Sequence, residues 1–218
     1  MAFNNTDLDN SFKSIEIDGF IINKEIMGYS WTQWYEDRSN RIIIGYGGYP
    51  DAYRIYTPTA DIYFDEVENY LSPFYKKHNI QETSQSTIRK VFQDLKDVNC
   101  TILETKIKDD ESFNTVKREI QKIINEGALP FIKKYSSLKS VSELLAFKSA
   151  EEIVTYIQGA KLLPKTVLIL KLSGHPQFKE KLIEFYGILK QYAQKKSIYL
   201  SYLNLFNELF AEDLKDFK

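Results

Sequence analysis

The sequence predicts an α+β protein: an N-terminal antiparallel β-meander with one or two helices, followed by a mostly helical C-terminal half. Three observations predict it. Residues 15–64 alternate β-branched and aromatic side chains with polar ones and are punctuated by Gly, Pro and Asp. From Ser112 onward, apolar residues recur every three or four positions behind Ser-headed starts. The charge changes with the pattern: residues 1–110 hold 18 acidic and 12 basic side chains, residues 111–218 hold 12 and 17, so the parts carry −6 and +5 in a chain of net −1. The first part reads as β-rich and acidic and the second as helical and Lys-rich. The polar Lys108–Glu111 stretch is a candidate boundary, either between two units or between layers of one continuous domain.

Residues 1–12 are polar and Asn/Asp-rich, and read as a frayed terminus. Four extended runs follow: Phe20-Ile21-Ile22, Ile26 to Tyr35, Arg41 to Tyr46, and Tyr53 to Tyr56. Gly47-Gly48-Tyr49-Pro50-Asp51 separates the last two as a turn suited to positive φ. Within the second run, Tyr29, Trp31 and Gln33 share one face and Ser30, Thr32 and Trp34 the other. One indole is therefore expected in the core and the other nearer the surface. Asp61 to His78 begins extended and becomes a helix with Val67, Tyr70, Leu71, Phe74 and Tyr75 on one face, acids at its start and Lys76, Lys77 and His78 at its end. Pro73 within it predicts a kink or an early stop. Ser86–Leu95 reads as a weaker helix, and Asn99–Ile107 as a further strand.

In the second half, Ser112 caps a helix striped by Val116, Ile120, Ile123 and Ile124, with Gly127 as its stop. Ser140 to Glu143 and Ser149 to Glu152 both have capping-box spacing, and Gly159 ends the second of these helices. Pro164 and Gly174 bracket Lys165–Ser173, read as helix with a buried strand as the alternative. Pro176 starts a helix with a wide apolar face of Leu182, Ile183, Phe185, Tyr186, Leu189 and Tyr192. The last helix carries Tyr199, Leu203, Phe206, Phe210, Leu214 and Phe217, a spacing that serves a packed core helix or, alternatively, a dimer seam. Sequence leaves the oligomeric state open.

Composition excludes several classes. With 43% hydrophobic and 27% charged residues the chain has the make-up of a folded globular protein. The longest apolar run, Leu162–Leu172, is interrupted by Pro164, Lys165 and Lys171, so no membrane crossing is expected. The first residues show neither a basic segment nor an apolar one, and Cys100 stands alone, so the cytoplasm is the expected compartment.

Chemistry-bearing motifs are sparse. The glycine-rich loop Gly45–Pro50 lacks the helix and Lys-Ser/Thr pair of a phosphate cradle. His78 and His175 have no ligand-type spacing to each other or to Cys100, so no metal or cofactor is expected. His175 beside Ser173 reads as a cap residue rather than a base. Asp61, Asp65, Glu66 and Glu68 form the densest acidic set. They read as helix-start acids, the alternative being an enzyme with a carboxylate site. Residues 161–196 hold eight Lys against Glu180 and Glu184. Lys161, Lys165, Lys179, Lys181, Lys195 and Lys196, with Tyr186, Tyr192 and Tyr199, are the candidate interaction surface. Absence of Arg there argues against base reading. The expected function is non-catalytic protein interaction, an inhibitor or immunity-type protein being one version. Polyanion or nucleic-acid binding through the lysines is the alternative.

Overall fold

The computed structural model describes residues 5–49, 52–56, 58–81, 86–92, 105–159 and 161–217. They form two compact units, Met1–Ile62 with Arg89–Lys134, and Tyr63–Ile88 with Tyr135–Lys218. The Lys108–Glu111 stretch lies inside the first unit.

The first unit is built on the expected meander. Strands β1 (Ile21–Glu25), β2 (Gly28–Trp34) and β3 (Arg38–Tyr49) pair antiparallel in sequence order, and β4 (Ala52–Ile55) folds back on the end of β3. With β5 (Thr59–Phe64) and β6 (Ile88–Val91) they give a six-stranded sheet of order β1-β2-β3-β5-β6, β4 pairing with β3 off that path. The period of two places Tyr29, Trp31, Ile42 and Ile44 in the core, whereas Trp34 is 71% exposed. The two tryptophans divide as expected. Trp31 buries its indole because Nε1 donates to the Ile15 carbonyl at 2.9 Å. Gly28, at φ 144°, starts β2 where a Cβ would lie 2.2 Å from the Ile44 carbonyl oxygen, so only glycine fits. Gly47 and Gly48 are strand residues of β3, paired with Arg54 and Tyr53, rather than the positive-φ turn expected of them. The reversal falls between Tyr49 and Ala52.

Further expectations for this unit are corrected. Helix α1 (Asn5–Lys13) replaces the frayed terminus. Leu8 and Phe12, one turn apart, are fully buried, and the Phe12 ring lies 5.1 Å from Tyr29, 5.4 Å from Tyr46 and 5.5 Å from Phe113. Two well-placed anchors outweigh a polar composition. The weak helix at Ser86–Leu95 is instead strand β6 where it is described, because Arg89 on it forms a two-bond ion pair, at 2.5 and 2.7 Å, with the buried Asp61 carboxylate of β5. A long-range partner overrides a four-residue helical period. Residues 93–104, with Cys100 and most of the expected strand Asn99–Ile107, lie outside the described residues; Ile107 itself exchanges both backbone bonds with Tyr53, at 2.8 and 2.9 Å.

The Gly127 stop does not occur. Helix α3 (Asp110–Lys122) widens into a π-helical turn, Ile123–Ala128, and continues as α4 (Leu129–Lys134). Pro130 has no N–H to give the Glu126 carbonyl and its ring crowds that turn, which a wider turn relieves. The cap also moves, from Ser112 to Asp109, with Ser112 as the reciprocal partner in a capping box. The expected stripe of Val116, Ile120, Ile123 and Ile124 is buried.

The second unit is helical. In α2 (Asp65–Lys77) the chain runs through Pro73 without stopping early; Pro73 and Asn69 are both exposed, so water can reach the carbonyl that Pro73 leaves unmatched. At its end Lys77 and His78 bond the Glu208 carboxylate at 2.6 and 2.9 Å and hold it below the usual carboxylate range. Helix α5 (Leu138–Leu145) is capped by Ser137, one turn before the expected Ser140, which sits at the third helical position. Helix α6 (Ala150–Ile153) has the expected Ser149–Glu152 box but ends after one turn, before Gly159.

Helix α7 (Leu162–Leu172) settles the helix or strand alternative in favour of helix, and it is buried from Leu163 to Leu170. Its end is a Schellman turn: Gly174, at φ 64°, donates to the Lys171 carbonyl at 3.1 Å and His175 to that of Leu170 at 2.9 Å. Helix α8 (Phe178–Lys195) buries Leu182, Phe185 and Leu189 but exposes Ile183 and Tyr192, a narrower face than expected. Helix α9 (Ile198–Leu209) stops before Phe210, short of the expected run to Phe217. Phe206, Phe210 and Leu214 are buried within this unit, the Phe206 and Phe210 rings 4.8 Å apart, as a core helix requires. Among the described residues no helix is long and apolar enough to cross a membrane.

Candidate functional site

The acidic residues that invited a catalytic reading are held by structural partners. Asp61, in the first unit, is fully buried and gives both oxygens to Arg89. Glu68, in the second, takes both oxygens to the Lys165 Nζ at 2.9 Å and accepts from the Thr87 hydroxyl at 2.7 Å. Thr87 Oγ1 in turn accepts from the Phe64 N–H at 2.9 Å. Asp65 and Glu66 are exposed in the first turn of α2, where the helix dipole favours them.

The histidines are also in structural positions. His175 Nδ1 accepts from the Gln177 N–H at 3.1 Å, which leaves Nε2 as the ring's donor, 3.6 Å from Glu143. Ser173 donates to the Leu170 carbonyl at 3.1 Å, so serine and imidazole each bond backbone rather than each other. His78 closes the end of α2. Among the described residues no group of three or more His, Cys, Asp or Glu side chains could hold a metal ion.

The lysines expected on one surface divide into two sets. Lys165, 1% exposed, donates to Glu68 and to the Ser86 carbonyl at 3.0 Å. Lys161 is buried with Nζ 4.9 Å from the Tyr75 ring centre, and Lys181 is buried with bonds to the Lys148 carbonyl (2.9 Å) and Glu184 (2.7 Å). Lys179, Lys195 and Lys196 are exposed. Sequence reasoning had a signal for Lys165: it sits in Leu162–Leu172, a helix apolar on all sides, which must be buried all round.

The tyrosines divide as well. Tyr186 stacks on Phe206 at 5.9 Å, whereas Tyr192 and Tyr199 meet at 5.2 Å and line an open groove of about 340 Å³. Local sequence builds this groove. The one-turn α6 supplies Glu151 and then Val154, Gly159 at φ 72° turns the chain, and α7 enters with Leu162 and Leu163. Lys196 is extended, at φ −144° and ψ 122°, and this break lets α9 fold back so that Tyr199 reaches Tyr192. Val154 and Tyr192 are 46% and 38% exposed, so the apolar walls are wet. Lys195, the last residue of α8, follows Tyr192 by three positions on the helix, and Lys196 is the extended residue after it, so both lie in the chain between the two groove tyrosines. At the α6 wall, the backbone N–H of Ser149 and the nearby Lys148 hold the Glu152 carboxyl below its usual range. Comparison with protein-family models, curated proteins and solved structures finds no match.

The groove can bind apolar side chains. Among the described residues that line it, Glu151 is the ionisable acid and Tyr192 and Tyr199 supply two hydroxyls.

Proposed function

We infer that the protein is a non-catalytic interaction module of the cytoplasm that binds another protein through the Tyr192–Tyr199 groove, as an inhibitor or immunity-type protein would. The observation that carries this reading is the groove itself: a concave, solvent-open surface walled by Val154, Leu162, Tyr192 and Tyr199. Aromatic side chains at such a site give large contact area at small entropic cost. Its 340 Å³ sits near the lower end of small-molecule pockets, about 300 to 1,000 Å³, and suits one or two side chains of a partner. Internal pairing of Asp61 and Glu68 supports the non-catalytic part. Burial of Lys161, Lys165 and Lys181 weakens the alternative of a continuous polyanion surface.

The test is affinity co-purification of the full chain from native lysate, with and without nuclease, beside the variant Val154→Glu. A stoichiometric protein that survives nuclease and is lost with Val154→Glu is expected. A nuclease-sensitive catch, or a set of proteins unchanged by Val154→Glu, would contradict this function.

A further inference from the structure

We propose that the groove takes a peptide segment in which one or two apolar side chains adjoin acidic residues, the acids meeting Lys195 and Lys196. This rests on the interaction reading above and adds the chemistry of the partner and the end of the groove its acids occupy. The argument begins with the positive charge that remains after internal pairing. Of the lysines in residues 161–196, Lys165 is paired with Glu68, Lys171 with Asp213 at 2.6 Å, and Lys181 with Glu184. Lys161 is buried against Tyr75, and Lys190 lies 4.4 Å over the Tyr186 ring. Among the described residues, Lys179, Lys195 and Lys196 are exposed and make no ion pair; Lys179 lies in the first turn of α8, at the far end of that helix from Tyr192, which leaves Lys195 and Lys196 beside the groove.

Both stand in the short stretch between Tyr192 and Tyr199, Lys195 ending α8 and Lys196 in the break before α9, which puts them at this end of the groove. Glu151 stands on the other wall, supplied by α6. An acidic segment is therefore repelled at the α6 side and attracted at the α8 side, which orients the peptide with its acids beyond Tyr192. An apolar floor offers nothing to a phosphate chain, whereas it suits an apolar side chain carried beside the acids. The same pair of lysines thus fits carboxylates beside an apolar anchor better than a nucleic acid.

Fluorescence polarisation of the full chain tests this with three labelled decapeptides, a Leu-Phe pair followed by three Glu, three Gln or three Lys, and a labelled single-stranded oligonucleotide. The Glu peptide is expected to bind more tightly than the Gln peptide, and the Lys peptide least. Lys195→Gln with Lys196→Gln should weaken the Glu peptide about fivefold, as two exposed ion pairs would, and leave the Gln peptide unchanged. Val154→Glu should abolish both. Both lysines are exposed, and circular dichroism checks that the variants keep the fold. Equal binding of the Glu and Gln peptides would overturn the acidic partner while leaving the interaction module standing. Binding of the oligonucleotide alone, lost with the lysines, would overturn both. Failure of every probe would overturn this peptide class, and the co-purification then decides the module reading on its own.

Discussion

Lys165 and Asp9 show how single ionisable residues hold this fold together. The Lys165 ammonium donates to both Glu68 oxygens and the Ser86 carbonyl in a nearly solvent-free setting. Removing Lys165 leaves the Glu68 carboxylate, 21% exposed, without its cation, so Lys165→Met should cost about 3 kcal/mol. The double variant Lys165→Met with Glu68→Gln should recover most of that loss, and chemical denaturation of the four proteins of the cycle measures it. Asp9 ties α1 to the sheet through Lys24 and, at 3.3 Å, the Tyr46 hydroxyl. Burial alone would raise its carboxyl, but bonds from Lys24, Tyr29 and Tyr46 outweigh that and hold it below the ordinary range. A depressed folded value means the contribution is complete above the unfolded value near ~3.9 and is lost as pH falls through the folded one. Stability measured from pH 5 to pH 2 should therefore fall less steeply in Asp9→Asn than in the parent. Equal slopes would remove Asp9 from the account.

Among the elements, two helical glycines make opposite predictions. A Cβ on Gly127, inside the π-helical turn, would lie 2.8 Å from the Phe92 ring, so Gly127→Ala should destabilise by about 1 to 3 kcal/mol. Gly187, inside α8, has open space around it, and Gly187→Ala should stabilise by about 0.5 to 1 kcal/mol. Thermal unfolding of the pair checks both signs. The elements legible in the sequence were those with dense local signals: the alternation that set β2 against β3, the Ser149–Glu152 cap, and Pro164 in the first turn of α7 with Gly174 after its end. Those missed depend on distant partners. Helix α1 exists because Leu8 is buried and Phe12 finds Tyr29 and Phe113, and β6 because Arg89 finds Asp61. Neither partner is local, so no short window reveals them.

At the scale of the whole chain, the charge split near residue 110 marks composition, whereas each compact unit draws on both halves of the sequence. The candidate site follows the same logic. Tyr192, Tyr199, Lys195 and Lys196 were visible as a helical cluster, but Val154, Leu162 and the groove they complete come from a turn about 30 to 40 residues earlier, whose approach only tertiary packing determines. A second set of exposed apolar side chains lies on the first unit, with Ile26 and Met27 before β2 and Trp34 at its other end. Hydrogen–deuterium exchange of the full chain, with and without the partner captured by co-purification, chooses between the two surfaces. Binding through the groove predicts new protection over residues 150–163 and 190–200, with residues 21–34 unchanged. Protection confined to residues 21–34 would contradict it.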